Sequence, residues 1–159
     1  MSELLHLCRE FAAFVEREPS PGADGSRSDL RDLQLLTLRL AVCATAPTRS
    51  REWTFESAPE LSDERWDRRQ IGARFPQLGM YWDLLGRDLG SNSRTGVGDA
   101  IDDVESLYSD ARDALDERET EGAEEAESNF RFSWRIHTGK HATALIDLLP
   151  ELRADDARE

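Results

Sequence analysis

Between residues 97 and 148 the chain sets apolar side chains at helical spacing twice, with one interruption. Val97, Ile101, Val104, Tyr108, Ala111 and Leu115 step by four and three residues, the seam of a helix that packs along another helix. The second stripe is Ala126, Phe130, Trp134, His137, His141, Ala144, Leu145 and Leu148, which share a narrow arc at about 100° per residue. Glu121-Gly-Ala-Glu124 is the only break between them. Two long amphipathic helices joined by so short a turn must fold back on each other, so an antiparallel hairpin is expected. Its first arm, the fourth helix of the chain, runs from a cap at Asp99 to about Arg118, and its second arm, the fifth, ends near Pro150.

The remaining sequence supplies partners for that hairpin. Over residues 2–18, Leu4, Leu7, Cys8, Phe11 and Val15 fall on one side of a helix capped by Ser2. Residues 19–27 are rich in Pro, Gly and Ser and read as a flexible loop, after which Ser28 or Asp29 starts a second helix. Over residues 30–46 that helix is apolar on every side, which predicts a buried one ending at Pro47. Residues 48–62 read as a loop pinned by Trp53 and Phe55, and Ser62 as the cap of a third helix with Asp63 and Glu64 in its first turn. Arg65, Arg68 and Arg69 stand among Asp63, Glu64 and Asp67, so a solvated, salt-bridged face is expected there rather than an anion site. The aromatic knot of residues 75–82 reads as a core plug. Residues 91–98 read as a second loop that lacks the lysine and spacing of a phosphate loop. The expected fold is an all-α bundle of about five helices with the second and fifth central. It forms one domain over residues 1–150, with a disordered acidic tail over 151–159.

Charge narrows the function classes. The chain of 159 residues carries 33 Asp and Glu against 20 Lys and Arg, a net charge of −13. Such an excess repels phosphates and anionic lipid, which argues against direct nucleic acid or membrane binding. The acid is concentrated: residues 99–127 hold 13 carboxylates against Arg112 and Arg118, while residues 128–146 hold Arg131, Arg135 and Lys140 with no acid. Cys8 and Cys43 form no CxxC and are expected to be reduced, buried thiols. The first residues carry acid where a signal peptide needs base, and no stretch reaches the ~20 apolar residues of a membrane span. A cytoplasmic location is therefore expected.

Three segments carry a resemblance. Phe75-Pro-Gln-Leu-Gly-Met-Tyr81, Gly98-Asp-Ala-Ile-Asp-Asp103 followed by Tyr108 and Asp110, and Phe130-Arg-Phe-Ser-Trp-Arg-Ile-His-Thr-Gly-Lys-His141 together resemble bacterial domain-of-unknown-function family 5063. The resemblance spans roughly residues 75–149 and implies a small, helical, bacterial protein without implying an activity. Thr138 stands where the family pattern carries an aromatic residue.

One constellation could carry chemistry. His137 and His141 are spaced i, i+4 on one helix face, close enough to share a metal ion such as zinc. With the hairpin turning near Gly122, Asp103 lies level with residues 139–141 and becomes the third candidate ligand. Asp110 follows two turns along the same side, and Asp99 and Asp102 point outward. Tyr108, Trp134, Arg131 and Arg135 complete the surroundings. The plain alternative is that both histidines are core residues whose ring N–H groups are satisfied by Asp103, Tyr108 or a carbonyl. No serine or cysteine falls beside a histidine to act as a nucleophile. On the back of the fifth helix, Phe132, Ile136 and Gly139 form a second apolar stripe. The reading that follows is a non-enzymatic interaction or regulatory module without a cofactor, recognising a protein partner, for example a basic one, or a second copy of itself. The alternatives are a metal-binding protein or metal-dependent hydrolase using His137, His141 and Asp103, and a mimic of nucleic acid charge.

Overall fold

A computed structural model describes residues 2–46, 61–85 and 94–155. They form α1 (Glu3–Val15), α2 (Gly22–Thr45), α3 (Arg68–Arg74), β1 (Met80–Leu85), β2 (Arg94–Asp99), α4 (Ala100–Thr120), α5 (Ala123–Ser133), a single π turn (Trp134–Thr138) and α6 (Gly139–Asp155). The described residues are mostly helical, an all-α bundle with one small strand pair among them. Because the helical backbone runs on through the π turn, α5, the turn and α6 make one continuous rod, the fifth helix expected from sequence.

The helices start where local chemistry dictates. The Ser2 side chain accepts from Leu5 N and caps α1, and Asp99 accepts from Ile101 N and Asp102 N to cap α4; both caps satisfy amides that the first turn leaves without intrahelical partners. Gly122, with φ of 100°, makes the turn between α4 and α5. Four rods close a ring: α1 packs on α2, α2 on α6, α5 and α6 on α4, and α4 on α1. The core inside that ring is built from Leu4, Phe11, Leu33, Leu40, Leu107 and Leu145 among others.

Several expectations are corrected. Helix α2 begins at Gly22, inside the segment read as a loop, and Asp29 is not a cap. Asp29 is buried inside α2, where it accepts from Ser20 N and Oγ, both at 2.9 Å, and thereby folds the Pro-rich segment onto the helix. Helix α2 is not buried all round, since Leu35, Leu38 and Val42 are exposed. The central helix is α4, which meets α1, α3, α5 and α6. Ser62 caps no helix; α3 starts later, under a reciprocal Asp67–Gln70 capping box. Trp53 and Phe55 lie outside the described residues. Where two loops or plugs were expected, β1 and β2 pair antiparallel with Tyr81 opposite Gly98, and Val97 sits exposed on β2 rather than on the α4 seam. Pro150 lies within α6, which continues to Asp155 through much of the segment read as a disordered tail.

The π turn changes which residues face the core. The observed buried stripe is Ala126, Phe130, Trp134, Thr138, Ala142, Leu145 and Leu149. An α-helix overshoots a full turn by about 40° every four residues, so four such steps would drift about 160° around the rod. The wider turn takes back roughly 100° of that drift and keeps the stripe facing α4 and α1. From there on, Thr138, Ala142 and Leu149 are buried where the plain helical reading places 137, 141 and 148, while Leu145 is buried in both. The two histidines are thereby moved from the middle of the core face to its rim.

Candidate functional site

The site forms where the first turns of α4, the strand pair and the start of α6 meet. Asp103 lies just inside α4 and is buried. Its Oδ2 accepts from the Tyr81 hydroxyl at 2.5 Å, and its Oδ1 lies 2.6 Å from His141 Nδ1. Tyr81 can reach this carboxylate because its cross-strand neighbour is Gly98: a methyl group there would fall 2.3 Å from the tyrosine Cζ. Burial is the strongest influence on Asp103 and raises its pKa above the ordinary carboxylate value, against the downward pull of Tyr81 and His141.

The His141 tautomer that donates from Nδ1 to the Asp103 carboxylate has its lone pair at Nε2. That nitrogen is buried and has no hydrogen-bond partner. The ring of His137 lies 4.7 Å away, centre to centre and edge on at 73°. His137 itself is exposed.

A second carboxylate on α4 holds the π turn. Asp110 Oδ2 accepts from Ser133 Oγ at 2.5 Å and from Thr138 Oγ1, and the two hydroxyls are 3.0 Å apart. Gly139 completes the arrangement, because a Cβ there would come 2.6 Å from the Trp134 carbonyl oxygen. Asp103 and Asp110, seven residues apart and so on one side of α4, thus clasp the rod on either side of Gly139.

The other residues singled out from sequence serve elsewhere. Tyr108 is buried away from the histidines; its hydroxyl donates to Glu16 Oε1 at 2.8 Å and accepts from Trp66 N at 2.9 Å. Arg112 completes that cluster at 2.6 Å from the same oxygen. Desolvation, with the Glu16 carboxylate beside it, pushes the Tyr108 phenol up to about 12. Asp99 and Asp102 face Arg68, while Arg65 bridges Asp113 and Asp116. The arginine-rich segment is therefore salt-bridged as expected, but to α4 and not to its neighbours in sequence. Arg131 donates to the carbonyls of Cys43, Ala44 and Ala46 and so closes the C-terminal end of α2. Trp134 is buried against Phe130, and Arg135 is exposed.

The structure joins Asp103 to His141 and places His137 beside it, with one Asp103 oxygen paired to Tyr81 and the other to His141. Among the described residues no three His, Cys, Asp or Glu side chains converge on a point that would hold a metal ion. Tyr81 is the member that the sequence reading missed. Its only signal was membership of the aromatic knot, and its role depends on a strand pairing that brings it across to α4. An open groove of about 690 Å³ lies away from this site, between α1 and α2, lined by His6, Glu10, Arg17, Asp32, Leu35 and Arg39 among others. No described helix is long and apolar enough to cross a membrane. Comparison of the chain with family models, curated proteins and solved structures finds no match.

Proposed function

We propose that the protein is a non-enzymatic interaction module that docks a protein partner on an apolar ridge formed by α2 and by α5 with the π turn that follows it. The observation that carries this reading is the exposure of large apolar side chains on a heavily charged chain. On α2, Leu35, Leu38 and Val42 step along one outward line, with Val42 70% exposed. On the adjoining rod Phe132 and Ile136 are 55% and 66% exposed. The two helices are neighbours: Gln34 Nε2 donates to the Ile146 carbonyl at 3.3 Å, and Arg131 reaches the end of α2. Leu35 also lines the groove between α1 and α2, so apolar surface continues around the helix. Scattered exposed leucines need no explanation, but rows of them on two adjacent helices mark a contact face.

The acidic helix supports a basic partner less well. Its carboxylates Asp99, Asp113 and Asp116 already carry the guanidinium groups of Arg65 and Arg68, which leaves less unmatched charge on that face. The two modes separate by salt, because exposed charges are screened beyond about 8 Å at physiological ionic strength while apolar contacts persist. Affinity capture from the source cell lysate at low and high salt, run beside a Val42→Asp, Phe132→Asp double variant, tests the reading. A partner retained at high salt and lost with the double variant, whose melting temperature is unchanged, is the expected result. A partner held equally by both proteins, or released by salt alone, would sink it.

A further inference from the structure

We infer that His137 and His141 form a two-imidazole site for a borderline transition metal ion of the zinc class, with Asp103 and Tyr81 orienting His141 from behind rather than binding the metal. Three observations lead there. First, His141 Nε2 is a buried nitrogen with no hydrogen-bond partner, whereas buried polar atoms are ordinarily satisfied. Second, Nδ1 of the same ring is fixed by a buried carboxylate at 2.6 Å. Carboxylate–histidine–metal chains use this arrangement: the acid sets the tautomer, turns the lone pair toward the metal and raises its basicity. Asp103 is itself set by Tyr81 on its other oxygen, so the chain of orientation has two steps.

The third observation is the position of the other imidazole. Rings that share a tetrahedral zinc through bonds of about 2.0 to 2.1 Å have centres about 5 Å apart. The centres of His137 and His141 are 4.7 Å apart. His137 is exposed, so its ring can rotate to present a nitrogen without disturbing the core. No third protein ligand stands nearby among the described residues, so water fills the remaining positions and the ion stays open to an incoming oxygen or nitrogen donor. Neutral imidazole favours zinc, nickel and copper over magnesium and calcium.

The experiment is calorimetric titration of the full chain with Zn²⁺ in a large excess of Mg²⁺. The magnesium occupies the many surface carboxylates but competes poorly for imidazole. Wild type should bind one zinc per chain. His137→Ala removes an exposed ring, should leave the metal-free melting temperature unchanged, and should weaken zinc binding at least ten-fold. Asp103→Asn should weaken it by about 10 to 100-fold, the usual effect of removing an orienting partner. Absence of saturable zinc binding in wild type would overturn the inference, as would undiminished binding by His137→Ala. Loss with His137→Ala but none with Asp103→Asn would refute the orienting role of the carboxylate.

Discussion

Gly98 and Tyr81 show how much one missing methyl group decides. The tyrosine ring occupies the space where a Cβ on Gly98 would stand, so Gly98→Ala must displace either the ring or the strand. We expect it to cost about 1 to 3 kcal/mol, read as a fall in urea midpoint. Tyr81→Phe, which keeps the ring and deletes only the bond to Asp103, should cost about 1 kcal/mol. An equal effect of the two would show that the ring position matters little. The cysteines behave differently from each other. Cys8 is buried and its thiol is pushed far above the ordinary range, chiefly by desolvation; Cys43 is partly exposed and raised less severely. A thiol-reactive disulfide reagent should therefore modify Cys43 slowly and leave Cys8 untouched until the protein unfolds. Rapid labelling of both in the native state would contradict this. The pairing of Asp103 with His141 was legible from residue counting alone, because equal distances from Gly122 lie opposite each other in a hairpin. Tyr81 was not legible, since nothing local ties a tyrosine in a short apolar run to a carboxylate 22 residues later.

At the scale of elements, Gly139 is the test of the π turn. Replacing an interior helical glycine with alanine ordinarily stabilises by about 1 kcal/mol. Here the added carbon would meet the Trp134 carbonyl at 2.6 Å, so Gly139→Ala should destabilise by about 1 to 3 kcal/mol, measured by denaturant unfolding. A stabilised variant would mean that the turn relaxes freely to α-helix. Helical periodicity could not reveal the turn, because a reading at constant angle assigns His137 and His141 to the core as readily as Thr138 and Ala142. The start of α2 was hidden for another reason. Its first residues are polar breakers, and what holds them is a buried carboxylate, Asp29, whose partners Arg17, Ser20 and Arg74 come from both directions along the chain. The strand pair escaped as well, because an isolated two-stranded ribbon is marginal and its residues carry no sustained alternation.

For the whole molecule, two buried aspartates give stability opposite slopes with pH. Burial would push Asp29 up, yet Arg74 at 2.6 Å and the bonds from Ser20 hold it well below the carboxylate range. Its stabilising contribution is present above the ordinary carboxylate pKa of about 3.9 and is lost as pH falls through its depressed value. Asp29→Asn should cost about 3 to 5 kcal/mol at neutral pH, since it leaves Arg74 buried and unpaired. The gap to wild type should narrow as pH drops below 4. Asp103 has the other sign: its raised pKa means that the folded state keeps a proton which the unfolded chain has released. Stability from this group therefore falls as pH rises from about 3.9 through its raised value. Asp103→Asn removes that slope. Melting curves of the three proteins between pH 3 and 7 check both claims, and parallel profiles for wild type and Asp29→Asn would refute the first.

The wider turn between Trp134 and Thr138 also bears on chain length. Because Thr138, Ala142 and Leu149 each lie one residue later than a plain helix would bury, a chain lacking one residue there would satisfy the same core with unbroken α-helix. Arg135, exposed within the turn, is the residue to remove. The deletion variant should fold with the same helical content and a melting temperature no lower than that of the full chain. His137 and His141 both follow the deleted residue, so they keep their i, i+4 spacing and stay side by side. The bundle is thus compatible with two lengths of this rod, and both carry the paired imidazoles at its rim, one residue before the buried Thr138 and Ala142.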